Sequence, residues 1–215
     1  MHPELPLLLM TAATIGVLHT IFGPDHYLPF IAMARARNWS SRRTAVVTTL
    51  GGIAHVGSSV VIGLGGLYFG TNVLKLQAIE SSRGEIAGWL LLGFGVAYMI
   101  WGIRRAIRPR VSEKTKPEES RGSLTPWILF TVFVFGPCEP LIPVLMYPAA
   151  TASLFSLIAV TTVFGLFTIG TMLTVVLAAN HGLSLASVPR LARYSHALAG
   201  FAIALCGAGV QFLGL

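Results

Sequence analysis

Six apolar stretches, each long enough to cross a lipid bilayer, divide this chain of 215 residues. They run roughly over 5–34, 44–70, 86–103, 126–148, 152–179 and 196–215. A bilayer core about 30 Å thick is spanned by about 20 apolar residues in a helix. Inside lipid every backbone polar group needs a partner within the protein, so only helices and closed barrels can span. Continuous runs of this length predict helices. With 54% hydrophobic and 11% charged residues, the chain is too apolar for a water-soluble domain of its size. The expected fold class is an all-α membrane protein with six transmembrane helices.

A formal charge of +7 raises the question of nucleic-acid binding. The placement of the basic residues excludes it. Arg35, Arg37, Arg42 and Arg43 fall in one loop; Arg104, Arg105, Arg108, Arg110, Lys114, Lys116 and Arg121 in the central polar segment; Arg190 and Arg193 in a third. With six helices these three loops share one side, leaving Lys75 and Arg83 on the other. Thirteen against two is a strong positive-inside asymmetry. It predicts a multi-pass protein of the cell membrane (the inner membrane of a cell that has two), with basic loops cytoplasmic and both termini outside. Met1, His2, Pro3 and Glu4 supply no basic region ahead of the first apolar run, so that run reads as a permanent helix rather than a cleaved signal. The partners expected are the lipid bilayer and a small substrate. A homo-oligomer is compatible with the sequence.

The two halves repeat. At an offset of 113, Phe22-Gly23-Pro24 matches Phe135-Gly136-Pro137, Leu28 matches Leu141, Met33 matches Met146, Gly52 matches Gly165 and His55 falls on Thr168. At 112, Ala87-Gly88 matches Ala199-Gly200 and Gly95 matches Gly207. The division expected is a first three-helix repeat over 1–103, a basic cytoplasmic linker over 104–125 and a second repeat over 126–215. Three helices is an odd number, so the second copy must run inverted, the plan of many transporters whose site lies between the repeats near the midplane. Proline removes a donor and clashes with the preceding turn, and it pushes the residue before it out of helical geometry. The first and fourth helices are therefore expected to break at Gly23-Pro24 and Gly136-Pro137.

Groups able to bind a metal or a proton cluster at these breaks. The first half offers His19, Asp25 and His26, with His55 on the next helix; the second offers Cys138 and Glu139. A carboxylate at mid-bilayer is costly, about 2.5–3.5 kcal/mol on insertion scales, and so marks a functional position. Imidazole suits nickel, cobalt, zinc and copper, while thiolate draws softer ions. Each residue also has a plainer role. A lone His in an apolar helix usually packs and hydrogen-bonds, a buried Cys often serves as a small hydrophobe, and Ser58, Ser59, Thr168 and Thr171 could simply bond the preceding helical turn. Cys206 reads as core, and His2, His181 and His196 as solvated.

His19-Thr20-Ile21-Phe22-Gly23-Pro24-Asp25-His26 resembles the first-helix signature of the nickel/cobalt permeases and of the urease-accessory membrane proteins related to them. Its five residues between His19 and Asp25 are nearer the urease-accessory pattern. Gly52-Ile53-Ala54-His55-Val56-Gly57-Ser58-Ser59 is similar to the second histidine motif of that family. The resemblance implies that His19, Asp25, His26 and His55 bind the metal. Phe135-Gly136-Pro137-Cys138-Glu139-Pro140 looks like the Pro-Cys segment of the thiol-electron transporters of cytochrome c maturation, which carry a reactive Cys in each repeat. Here Asp25 stands where the first repeat would hold that Cys, so the likeness implies a shared fold.

The function expected is transport of a divalent transition-metal ion, nickel or cobalt first, by alternating access. The site would comprise His19, Asp25, His26 and His55, joined by Glu139 or Cys138. The ion is substrate; no permanently bound cofactor and no enzymatic reaction are expected, and no nucleotide-binding motif is present. The alternatives are a membrane thiol-disulfide electron transporter using Cys138, and a small-anion exporter exploiting helix N-termini at the breaks.

Overall fold

The computed structural model describes residues 4–108, 124–150, 154–182 and 193–214. Among these, eight α-helices and no strand occur: α1 (Leu5–Phe22), α2 (Leu28–Ala36), α3 (Ser41–Tyr68), α4 (Val73–Ile107), α5 (Leu124–Phe135), α6 (Leu141–Ala150), α7 (Leu154–Gly182) and α8 (Ser195–Leu213). Five of them, α1, α3, α4, α7 and α8, are long and apolar enough to cross a membrane. Large apolar side chains such as Leu7, Met10, Val61, Phe155, Leu166 and Phe201 point outward from these helices, as a bilayer-embedded protein requires. The basic residues of 109–123, together with His2 and Arg190, lie outside the described residues.

The helix limits follow local chemistry. Ser40 caps α3 by accepting from the Arg43 N–H at 3.3 Å, and Asn72 caps α4 by accepting from the Lys75 N–H at 2.9 Å, each satisfying an orphan donor of the first turn. Between α2 and α3, Asn38 adopts φ 49°, one of the few side chains that tolerate the left-handed region. The turn then closes with Trp39 N–H donating to Ala34 O at 2.9 Å.

Both expected breaks are present. The Gly23 N–H makes the last bond of α1, to His19 O at 3.0 Å; Pro24 has no N–H to give. A short 3-10 turn over Pro24–His26 follows, and α2 resumes the course. The Gly136 N–H makes the corresponding last bond of α5, to Val132 O at 2.9 Å, and Leu141 N–H restarts the ladder on Cys138 O at 2.9 Å.

The third helix differs from its expected limits of 86–103. It begins at Val73 and ends at Ile107, so it absorbs both Lys75 and Arg83, which were expected in an outer loop, and runs past the start of the expected 104–125 linker. The polar string Glu80-Ser81-Ser82-Arg83 lowers the hydropathy without ending the helix. Glu80 and Arg83 stand one turn apart and neutralise each other at 2.5 Å. The inward face of α4 is Leu76, Glu80, Gly84, Ala87, Gly88, Leu91, Gly95, Tyr98 and Gly102, a spacing of three and four that marks one helical stripe. Along it α8 packs at backbone distance. A Cβ on Gly95 would strike the Ala204 backbone, and one on Gly207 the Leu92 backbone; small residues let membrane helices approach this closely.

Candidate metal centre

The last turn of α1, the 3-10 turn and the middle of α3 each bring an imidazole to one point. His19, His26 and His55 present ligand atoms that all lie within 4.8 Å of one another. His26 Nε2 and His19 Nε2 are 2.9 Å apart. On its other edge, His26 Nδ1 lies 3.0 Å from Gly23 O and 3.1 Å from Asp25 Oδ1. Both neighbours are acceptors, so Nδ1 carries the hydrogen, and Nε2 is the edge turned toward the cluster. His26 and His55 rings meet edge to face at 4.8 Å, while His19 and His55 are near parallel at 6.3 Å.

His55 is the exceptional member. It is 2% exposed, and neither ring nitrogen has a hydrogen-bond partner. Gly136 makes room for it: a Cβ there would sit 3.0 Å from His55 Nδ1. Leaving a buried polar group unpaired costs about 1–3 kcal/mol, so a ring with two such atoms calls for another explanation.

Of the six residues expected at the site, three are gathered by their ligand atoms. Asp25 touches His26, behind the cluster. Cys138 is fully buried with Sγ 3.9 Å from His19 Nε2, at the margin of the cluster. Glu139 is exposed. It lines a cavity of about 810 Å³ whose wall also includes His19, Asp25, His26, His55, Glu85 and Gln211. Three imidazoles, one oriented by a carboxylate, with a thiol alongside, form a donor set suited to borderline transition metals. An Asp hydrogen-bonded to the far nitrogen of a ligating His is the usual outer-shell arrangement that fixes ring orientation and raises basicity.

The remaining candidates fall elsewhere. Cys206 is buried on α8 in a core cluster separate from that of Cys138, and both are free thiols. His196 meets the Tyr98 hydroxyl at 2.7 Å rather than solvent, while exposed His181 faces Leu177 O at 2.8 Å. Thr168, which the sequence offset of 113 pairs with His55, is buried with its hydroxyl unpartnered.

Glu80 and Arg83 were not anticipated. Glu80 is completely buried. Its Oε2 accepts from Ser59 Oγ at 2.8 Å and from the Cys138 N–H at 3.0 Å. Arg83 donates to Ser58 Oγ at 2.7 Å, Ser59 Oγ at 3.2 Å and Val134 O at 2.7 Å. The signal available in the sequence was a Glu and an Arg three residues apart, opposite the paired serines of the next-door apolar run. No protein-family model, curated protein or solved structure matches this chain.

Proposed function

We propose that this protein carries a divalent transition-metal ion, nickel or cobalt first, across a membrane through the His19/His26/His55 centre. The observation that carries the reading is His55: buried, without a hydrogen-bond partner at either nitrogen, and held within 4.8 Å of two other imidazole donors. A bound cation would use the lone pairs that the fold leaves idle. Asp25 would act on the metal through His26, orienting the ring, and Cys138 would tune the site toward softer ions. The cavity of about 810 Å³ beside the cluster would give the ion access.

An inverted-repeat plan would suit transport by alternating access. α5 and α6, of 12 and 10 residues, are each too short to span; joined across Gly136-Pro137 they make the sixth crossing. Several helix pairings are compatible with an exchange of halves. α1 packs on α7 as α5 packs on α3, and α2 on α8 as α6 on α4; α3–α7 and α4–α8 pair across the axis. The likeness of 19–26 and 52–59 to the nickel/cobalt permeases and urease-accessory membrane proteins points the same way.

Calorimetric titration of the full chain with nickel and cobalt, beside His26→Ala, tests the site. Binding by the parent and its loss in the variant is the expected result; absence of binding by the parent refutes the reading. Cys138→Ser separates it from a thiol-electron transporter, because metal transport survives loss of Cys138 while thiol chemistry cannot. The separate burial of Cys138 and Cys206 disfavours a redox pair between them.

A further inference from the structure

The two breaks are completed differently. At the first, the chain satisfies itself: His26 N–H and His26 Nδ1 both reach Gly23 O, and Tyr27 N–H reaches Pro24 O. At the second, the missing partners come from another helix. In an unbroken helix Val134 O would accept from the Cys138 N–H, and Gly136 O from residue 140, which is a proline without an N–H. Here Arg83 donates to Val134 O at 2.7 Å and to Gly136 O at 3.3 Å, while Glu80 Oε2 takes the Cys138 N–H at 3.0 Å. One α4 ion pair thus supplies both the donor and the acceptor that the break lacks. The pair is tied in turn to α3. Ser59 Oγ donates to Glu80, and Ser58 Oγ bridges from Arg83 to His55 O at 2.9 Å.

We propose that Glu80 and Arg83 are positioning residues that clamp the second break shut, holding Cys138 and Gly136 against the histidine cluster, and that release of this clamp opens the α5–α6 side of the protein. With Glu80 fully buried and the Arg83 side chain 12% exposed, the ion pair is a weak source of stability, since desolvation offsets much of the attraction. Its use here is geometric: buried charges whose bonds go to freed backbone groups hold one arrangement, and exchanging those bonds for water would free another. The first break, closed on its own residues, has no equivalent clamp from α8 among the described residues.

The inference rests on the break and not on the cargo, so it is tested without metal. In membranes containing the full chain, the rate of maleimide addition to each native thiol is read by peptide mass spectrometry. Cys138, on the clamp, reports its release; Cys206, in the α8 core, reports general loosening. Arg83→Gln and Glu80→Gln are expected to raise Cys138 labelling about tenfold or more, the effect of losing a charge-assisted hydrogen bond on a local opening, with Cys206 unchanged. Ser59→Ala, a smaller change that removes the Ser59 bonds to Glu80, to Arg83 and to the Cys138 N–H while leaving both charges in place, should raise it severalfold and decides the matter if the charge variants do not accumulate. Equal rises at both thiols, or no rise at Cys138, overturn the proposal. Either result leaves nickel binding to be judged separately by titration.

Discussion

Replacing His55 by leucine should make the protein more stable and useless as a metal binder. The ring is 2% exposed and both nitrogens lack hydrogen-bond partners. Each such atom costs about 1–3 kcal/mol relative to a paired or apolar group. Leucine is close in size and carries no polar atom, and swapping shape at roughly constant volume costs under about 1.5 kcal/mol. The neighbours favour the exchange: the Phe133 ring centroid lies 6.1 Å away, and Gly136 leaves space beside the ring. Two such atoms cost about 2–6 kcal/mol together, and less a repacking cost of up to about 1.5 kcal/mol they leave a net gain of about 0.5–6 kcal/mol, which for a domain of this size raises Tm by about 2–4 °C per kcal/mol. Removing a mere supporting partner of a ligand lowers metal affinity about 10–100-fold, so losing the ligand itself should exceed that. Metal-free thermal unfolding in detergent gives the first quantity and nickel titration the second. A fall in Tm with binding intact would mean that His55 is an ordinary packing residue, and the proposed centre would lose its main support.

Two further substitutions probe the centre and its scaffold. Asp25→Asn retains an acceptor beside His26 Nδ1 but removes the charge, so cobalt affinity should fall about 10–100-fold while the visible spectrum of the bound ion keeps its shape, because the ligand atoms are unchanged. Gly207→Ala places a Cβ against the Leu92 backbone and should destabilise by about 1–3 kcal/mol through overpacking, read as a lower Tm. Gly57→Ala, where a Cβ meets nothing within 4 Å, serves as the neutral comparison.

Much of this was legible from the chain because the relevant signals are short-range. Gly-Pro removes a specific hydrogen bond whatever surrounds it, so both breaks stand where the dipeptides are. His19, His26 and His55 stood out in the sequence because polar and ionisable groups are costly in apolar runs, and their ligand atoms lie within 4.8 Å of one another. The extent of α4 was not legible, because hydropathy reads Glu80 and Arg83 as two exposed charges. Only the fold reveals that they neutralise each other and bind serines and freed backbone groups. Position in space also separated the ligand candidates. Glu139 follows Cys138 in sequence, yet the chain turns between them so that one is fully buried against His19 and the other faces the cavity.

Under the proposed inverted repeat, the scaffold is symmetric and its chemistry is not. Thr168 stands where the first half has His55, and Cys138 where it has Asp25. The three imidazoles therefore all belong to the first half, and the second contributes a thiol, a glycine that admits His55, and backbone held by the other half's Glu80 and Arg83. Such a division suits a carrier. In the proposed transport cycle, a cation held chiefly by the imidazoles of one half would stay coordinated while the other half moved past it, so exposure to the opposite side need not break those bonds. Had the ligands been shared equally, each rocking step would have torn the coordination sphere apart. Under that reading the half that should move is the one holding α5–α6, whose contacts with the centre are a thiol at 3.9 Å, a glycine and the Phe133 ring, none of them an imidazole.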